Sequence, residues 1–374
     1  MRFKELIRVS ATAILVFSVA VWTACGRTTT AAASPAVSEG QKLPITTNSD
    51  EAKKEFLEGR DLSDRLLAQD SLQHFDKALA LDPNFASAEL GRANSSPTAK
   101  EFLQHQKKAV ELASKVSEGE RLFILANEAA TNGQPAVQKQ YLDKLIAEYP
   151  NDERVQFSLG GYYFGQQDYD QAIEHYKKAT EIAPGYSSAY NLLGYSYRQR
   201  QNYSEAEQAF KKYIELIPND PNPYDSYAEL LLKMGRFDDS IAQYRKALSI
   251  DPHFNASHFG ISADLMYSGK PQDAAEELQT MADQARNDGE RRTAFFGMAV
   301  LAEKNYDNAI AELEQANLQN PRNFYWLGIA YRLKGEDAKS REYLKKAADF
   351  NSLPNLNYAF VRKEVQKAAS GKKA

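Results

Sequence analysis

The chain has 374 residues, of which 43% are apolar, and its formal net charge is −4 at neutral pH with a pI near 5.9. A surface that follows nucleic-acid phosphates needs a basic stripe, so this charge balance argues against nucleic acid as a partner. The single cysteine, Cys25, excludes an intrachain disulfide and a cysteine-based metal cage. The chain also contains an internal repeat, described below, which predicts one elongated domain instead of several globular domains.

Residues 1–24 have the three-part pattern of an export signal. Arg2, Lys4 and Arg8 give a positive start, and an apolar run follows from Ala11 to Trp22. The small residues Thr23 and Ala24 then precede Cys25. We therefore expect the bulk of the protein to be tethered outside the cytoplasm.

The motif Trp22-Thr23-Ala24-Cys25-Gly26 resembles the bacterial lipoprotein signal. That resemblance implies cleavage before Cys25, a covalent lipid on its sulfur, and a place in the bacterial cell envelope on the periplasmic or outer-membrane side. Such a double or triple acyl anchor would hold the protein on the membrane. The alternative is an uncleaved signal anchor with a chance cysteine.

Residues 25–50 connect Cys25 to the first helical pattern. They contain few large apolar residues and show no helical periodicity, so we predict a disordered tether.

A helical repeat array is predicted over residues 51–351. Pro150, Pro184, Pro218 and Pro252 follow one another at intervals of 34 residues. Between these prolines similar residue types return at fixed offsets, such as Leu159-Gly160, Leu193-Gly194 and Tyr227-Ala228, or Tyr176, Phe210 and Tyr244. Each unit should be two antiparallel helices whose backbones approach closely at small residues. Asp170 and Ser204 are expected to cap second helices, Ser204 together with Glu207.

The pattern is less regular on both sides of residues 153–252. Residues 86–116 form a degenerate unit that Asn94-Ser95-Ser96-Pro97 interrupts, with the second helix resuming near Thr98. Arg286 replaces the next proline, and Asn287-Asp288-Gly289 is expected to make that turn. Residues 352–374 should form a C-terminal capping helix and a basic tail.

These offsets of glycine, alanine, aromatic residues and proline resemble the tetratricopeptide repeat (TPR). The resemblance implies an all-α, right-handed TPR superhelix (α-solenoid) of about eight to nine helix pairs. It also implies that first helices line a concave groove that binds peptides or partner proteins, with no enzymatic role and no cofactor.

The first-helix face that is not committed to packing should line this groove. Its residues are aromatic, methionine-containing and lightly charged, which suits an apolar or extended peptide. The alternative for each residue is packing between units. The candidates are Phe157, Phe164, Asn191, Tyr195, Arg198, Phe259, Met266, Tyr267, Phe295 and Met298.

One TPR variant grips a C-terminal carboxylate with lysines and asparagines on successive first helices. The corresponding positions here are Phe157, Asn191, Asp225 and Phe259. Only Asn191 fits, so we do not expect that clamp.

No motif for catalysis or metal binding is present. The five histidines include no pair at the helical metal-site spacing, and neither a phosphate loop nor a nucleophile elbow occurs. We predict a protein that is not an enzyme and has no cofactor or metal, apart from the lipid on Cys25.

The sequence thus predicts a membrane-tethered scaffold or adaptor that binds a protein or peptide in its groove, as part of an envelope assembly. Its partners are that protein and the membrane, not nucleic acid. The alternative function is a periplasmic ligand-binding lipoprotein whose groove tyrosines stack on saccharides such as cell-wall fragments.

Overall fold

A computed structural model describes residues 42–65, 67–96, 99–297, 305–314 and 321–349. The signal segment, Cys25, Met298 and the predicted C-terminal cap lie outside these residues. Within them the regular structure is helical, with no strand. None of the helices in this part is long and apolar enough to cross a membrane.

The described residues up to Ile217 form one compact unit of five helix pairs. A short 3₁₀ turn, Ala113–Lys115, follows the fourth helix. Each first helix packs against the second helix that follows it. The helices are α1 (Asp50–Asp64), α2 (Ala68–Leu81), α3 (Ala86–Asn94), α4 (Ala99–Leu112), α5 (Glu118–Thr131), α6 (Pro135–Glu148), α7 (Glu153–Gly165), α8 (Tyr169–Ile182), α9 (Ser187–Gln199) and α10 (Tyr203–Leu216).

The described residues from Pro218 onward form a second compact unit of four helix pairs. Its helices are α11 (Pro221–Lys233), α12 (Phe237–Ile250), α13 (Asn255–Tyr267), α14 (Pro271–Asp283), α15 (Asp288–Gly297), α16 (Tyr306–Glu314), α17 (Pro321–Lys334) and α18 (Asp337–Asp349). The prediction of an all-α array of helix pairs is confirmed over the described residues.

The turn from first to second helix follows one backbone pattern in both units. A residue with positive φ ends the first helix, and in four pairs it is a glycine: Gly133, Gly235, Gly269 and Gly335. In two further pairs the residue is Gln167 (φ 64°) or Gln201 (φ 63°). In the latter turn the N–H of Asn202 donates to the Tyr197 carbonyl at 2.9 Å, as in a Schellman motif. Positive φ strains a residue that carries a Cβ, so the two glutamines occupy unfavourable positions.

Glycines on first helices make room for aromatic rings of second helices. A Cβ on Gly160 would lie 2.5 Å from Cε1 of Tyr176, and one on Gly194 would lie 2.8 Å from Cε1 of Phe210. Both rings are fully buried. The small residue therefore makes room for an aromatic ring of the second helix. We had expected it to allow close approach of the two helix backbones.

The predicted caps of the second helices are wrong, because these helices begin earlier than we expected. α8 is capped by Asp168, whose side chain accepts from the N–H of Gln171, and Asp170 lies inside the first turn. α10 begins after Asn202 without a side-chain cap, so Ser204 forms no capping box. Likewise α15 already begins at Asp288, within the predicted turn.

Candidate functional site

In the first unit, carboxylates gather where helices α3, α5 and α7 begin. Asp82 precedes α3, Glu120 lies in the first turn of α5, and Asp152 and Glu153 begin α7. We call these four residues the acidic row. Glu120, Asp152 and Glu153 are buried, with exposed fractions of 3%, 2% and 9%.

Local hydrogen bonds explain why these carboxylates are placed so firmly. Asp152 is the N-cap of α7, and its Oδ1 accepts from the N–H groups of Arg154 (2.9 Å) and Val155 (3.1 Å). Glu120 accepts from the hydroxyls of Ser87 (2.8 Å) and Ser117 (2.9 Å). The orientation of both side chains is thus fixed by groups on the array itself.

The non-helical residues that precede α1 cross the acidic row, and we call them segment 42–49. The N–H of Leu43 donates to Oδ2 of Asp152 at 2.9 Å, and the N–H of Thr46 donates to Oε1 of Glu120 at 2.9 Å. Other donors of the segment reach the rest of the row. Lys42 pairs with Glu153, and the Thr47 hydroxyl donates to Asp82 at 2.6 Å. The predicted disordered tether is therefore ordered over its last residues, because these donors meet buried acceptors.

Apolar contacts accompany the polar ones. Leu43 packs on the cluster formed by α5, α6 and α7, and Ile45 packs on the cluster around Phe56 and Phe75. Even so, every residue of segment 42–49 is half-buried or exposed. The segment lies on the surface, whereas most of the carboxylates that it contacts are buried.

The end of α1 makes a second contact with first helices far along the chain. Asp64 pairs with Arg154 of α7, and its backbone carbonyl accepts from the hydroxyls of Ser187 (3.0 Å) and Ser188 (2.6 Å) on α9. Burial raises the pKa of Asp64 against the opposing effect of Arg154. For Glu153 the same Arg154 and Lys42 outweigh burial and hold the pKa below its usual value. The beginnings of α3, α5, α7 and α9 are thus occupied by the chain's own N-terminal part.

The predicted groove residues of the first unit are mostly engaged in packing. The Phe157 ring lies 5.5 Å from that of Tyr176 and 5.0 Å from that of Tyr186, and Phe164 meets the Tyr169 ring at 5.4 Å. Phe157 and Phe164 are half-buried.

The groove candidates on α9, which are Asn191, Tyr195 and Arg198, are buried. Tyr195 is 3% exposed because its ring meets that of Phe210 at 5.1 Å, and the Arg198 guanidinium lies 4.7 Å from the Tyr195 ring centre. Oδ1 of Asn191 is buried without a hydrogen-bond partner among the described residues. For these residues the structure favours the alternative of internal packing.

Only some of the predicted groove residues of the second unit reach the surface. Phe259 and Phe295 pack on the cluster of Leu278 and Met281, and Phe259 faces Gly297 so closely that a Cβ there would lie 2.3 Å from its ring. Met266 is half-buried, and Tyr267 is 36% exposed. The Tyr267 ring stacks on Phe237 at 5.8 Å. Tyr267 is therefore the exposed member of this predicted set within the described residues, and Met266 lies beside it in the chain.

Buried polar groups on α13 were not predicted from the sequence. Asp225 of α11 accepts from the Ser257 hydroxyl at 2.7 Å, and His258 contacts Glu277 at 2.5 Å. Asp264 is fully buried with both oxygens unpartnered within the described part of the chain. The nearby Ser240 hydroxyl donates instead to the Ala228 carbonyl at 2.9 Å. Burial raises the pKa of Asp264 to about 7, and the charge of Asp238 adds to this effect.

Sequence reasoning also missed the acidic row. The pattern from Ser117 to Glu120 is the signal of a capping box, and the Ser117 hydroxyl indeed accepts from the Glu120 N–H at 3.3 Å. Nothing local indicates that Glu120 also accepts from Thr46, since 74 residues separate the two. Across the described residues, no group of three or more histidine, cysteine, aspartate or glutamate side chains could hold a metal ion.

The paired helices, their shared turn geometry and the glycine–aromatic contacts define a helical-repeat protein. Two family models, both described as Tetratricopeptide repeat, match residues 151–219 and 222–254. The chain contains tetratricopeptide repeats over these residues, and such repeats generally bind protein partners.

Solved structures of similar fold have low sequence identity to this chain. MamA (residues 41 to the end) from Desulfovibrio magneticus RS-1 has a TM-score of 0.40 and 17% identity, covering 44% of this chain and 93% of its own. A chain from the APC/C hetero-tetramer Cut9-Hcn1 has a TM-score of 0.47 and 14% identity, covering 79% and 58% respectively. MamA MSR-1 C2 has a TM-score of 0.37 and 22% identity, covering 43% and 93%. The search of curated proteins gave no match.

Proposed function

We propose that this chain is a non-catalytic, membrane-tethered scaffold or adaptor that binds a protein or peptide partner along its first helices, in an assembly of the bacterial envelope. The observation that carries the proposal is segment 42–49. It is a non-helical stretch of chain held on the beginnings of first helices through its backbone N–H groups. A partner segment can be held by the same chemistry.

The second unit has an apolar surface of its own that we propose as a separate contact for a partner. Tyr267 and Met266 lie at the end of α13, and the stacked Phe237 supports the tyrosine ring. An aromatic ring that is held in place and only partly covered gives contact area at low entropic cost. These residues suit an apolar side chain of the partner.

Photo-crosslinking in cells tests this interface. A photoreactive phenylalanine derivative at position 267 should give one discrete protein adduct. The matched control places the same residue at Glu276, which is exposed on α14 of the same helix pair. Absence of an adduct at position 267, or the same adducts from both positions, would contradict the proposed interface.

The proposed membrane anchor is the lipid on Cys25, which lies outside the described residues. The unaltered chain should incorporate a labelled fatty acid, and a Cys25→Ser variant should not. An unaltered chain that incorporates no label yet stays in the membrane fraction would instead support the uncleaved signal anchor.

The saccharide alternative finds no support in the tyrosines on which it depended. No tyrosine in residues 153–252 is exposed: six are buried, Tyr176, Tyr195, Tyr213 and Tyr244 among them, and the other seven are half-buried. Tyr163 is half-buried and stacks on the His175 ring at 5.4 Å. We therefore do not propose a saccharide site.

A further inference from the structure

We propose that segment 42–49 is an internal ligand, and that the surface beneath it binds an extended partner segment with the same chemistry: a lysine, two apolar residues around a proline, and two hydroxyl residues. The inference rests on the proposed function and specifies one of its binding surfaces. This surface is defined by segment 42–49, which occupies it, and not by the acidity of the row alone.

Contacts within the array hold the carboxylates of the row in place independently of the segment. Oδ1 of Asp152 caps α7, and only Oδ2 accepts from Leu43. Glu120 retains the Ser87 and Ser117 hydroxyls, and Glu153 retains its contact with Arg154. The array therefore orients these carboxylates without help from segment 42–49, as a preorganised binding surface requires.

Most of the carboxylates of the row are buried, whereas the segment that contacts them lies on the surface. The carboxylates of Glu120 and Asp152 are almost fully buried while the segment covers them, so its departure would leave water to replace the donors that it supplies. The occupant itself is superficial and is attached by few apolar contacts. A partner segment that supplies the same donors and buries more apolar surface would displace it.

A partner segment must present the same donors to the row as segment 42–49 does. The row accepts from two backbone N–H groups, at Leu43 and Thr46, and from the hydroxyls of Thr46 and Thr47. It also pairs with the Lys42 ammonium group. A partner segment therefore needs a non-helical backbone and a positive charge at one end.

A partner protein fits this surface better than exchange of the segment with a second copy. Ser49 is the N-cap of α1, and its hydroxyl accepts from the Ala52 N–H at 3.1 Å. No loop separates the segment from that helix, so reaching another copy would require loss of the cap.

The test uses the full chain and a fluorescent peptide of residues 41–49. Leu43→Ser with Ile45→Ser removes the apolar contacts of the segment in the chain but leaves the acidic row intact. By fluorescence anisotropy, the peptide should bind this released variant about tenfold or more tightly than it binds the unaltered chain. Adding Glu120→Gln should then weaken binding about tenfold, as expected for loss of a charge-assisted hydrogen bond. Asn48→Ser, at an exposed position of the segment, is the matched control and should bind like the unaltered chain.

Equal peptide affinity for the released and unaltered chains, or no binding to either, would overturn the proposal. A released variant that becomes a dimer in light scattering would identify a second copy as the occupant and also overturn it. Should the released variant fail to fold, hydrogen exchange on the unaltered chain decides the question. Excess peptide should speed exchange at the amides of Leu43 and Thr46, and unchanged rates would refute displacement. None of these results depends on the crosslink at position 267, so the two proposals fail separately.

Discussion

The contact between Gly160 and Tyr176 gives the sharpest test of how the helix pairs pack. An added Cβ at position 160 would lie 2.5, 2.6 and 2.9 Å from three atoms of the Tyr176 ring. Ordinary carbon contacts need about 3.5 Å or more. The ring must therefore move by roughly 1 Å, and it is fully buried beside the Phe157 ring.

Two opposing effects determine the result of Gly160→Ala. Alanine favours the helix over glycine by about 1 kcal/mol, whereas overpacking a buried site costs about 1 to 3 kcal/mol. We expect a net loss of up to about 2 kcal/mol in the free energy of unfolding. Gly165 in the same helix has no atom within 4 Å of its Cβ position. Gly165→Ala should therefore stabilise the protein, by up to about 1 kcal/mol.

Urea unfolding followed by far-ultraviolet circular dichroism measures both variants against the unaltered chain. Replacement of Tyr176 by leucine in the Gly160→Ala background should recover part of the loss, because the smaller side chain leaves room for the methyl group. The reasoning is refuted if Gly160→Ala is as stable as Gly165→Ala.

The same unfolding assay checks four further variants. Gln201→Gly should stabilise by up to about 1 kcal/mol, because glycine adopts positive φ without strain; a loss would mean that the glutamine side chain is needed. Leu193→Ala should cost about 2 to 5 kcal/mol as a buried truncation, and a loss below that range would place Leu193 outside the core. Arg154→Ala should cost about 1 to 3 kcal/mol, because the half-buried Asp64 loses its hydrogen-bonded cation; no loss would mean that water replaces Arg154. Asp264 has a raised pKa in the folded state, so its stabilising protonated form is lost as pH rises through about 7. Relative to Asp264→Asn, the unaltered chain should lose at least about 1.4 kcal/mol between about pH 5 and pH 8, and parallel curves would contradict the raised pKa.

The repeat could be predicted from the sequence because its determinants are local. Prolines at 34-residue intervals mark the ends of helix pairs, and α3 ends at Asn94, where the predicted break begins. The exact start of α8 and α10 could not be predicted, because Gln167 and Gln201 adopt a conformation that their residue type does not favour. The sequence indicates this conformation only indirectly, because glycine occupies the equivalent position in other pairs.

The candidate site was predictable only in part, for a different physical reason. Helical spacing places Tyr195 and Tyr267 on first-helix faces, but it cannot say which neighbour will cover them. Phe210 covers Tyr195, whereas Tyr267 stays 36% exposed. Lys42 pairs with Glu153 of the acidic row, which lies 111 residues further along the chain. A local sequence pattern cannot predict a contact between residues so far apart.

The central claim is that the beginnings of first helices hold an extended stretch of chain through buried carboxylates. Hydrogen–deuterium exchange on the unaltered protein measures it directly at the amides of Leu43 and Thr46. The account predicts that both amides exchange more slowly than in a free peptide of residues 41–49, and that Glu120→Gln speeds exchange at Thr46 more than at Leu43. Exchange at the rate of the free peptide would contradict it.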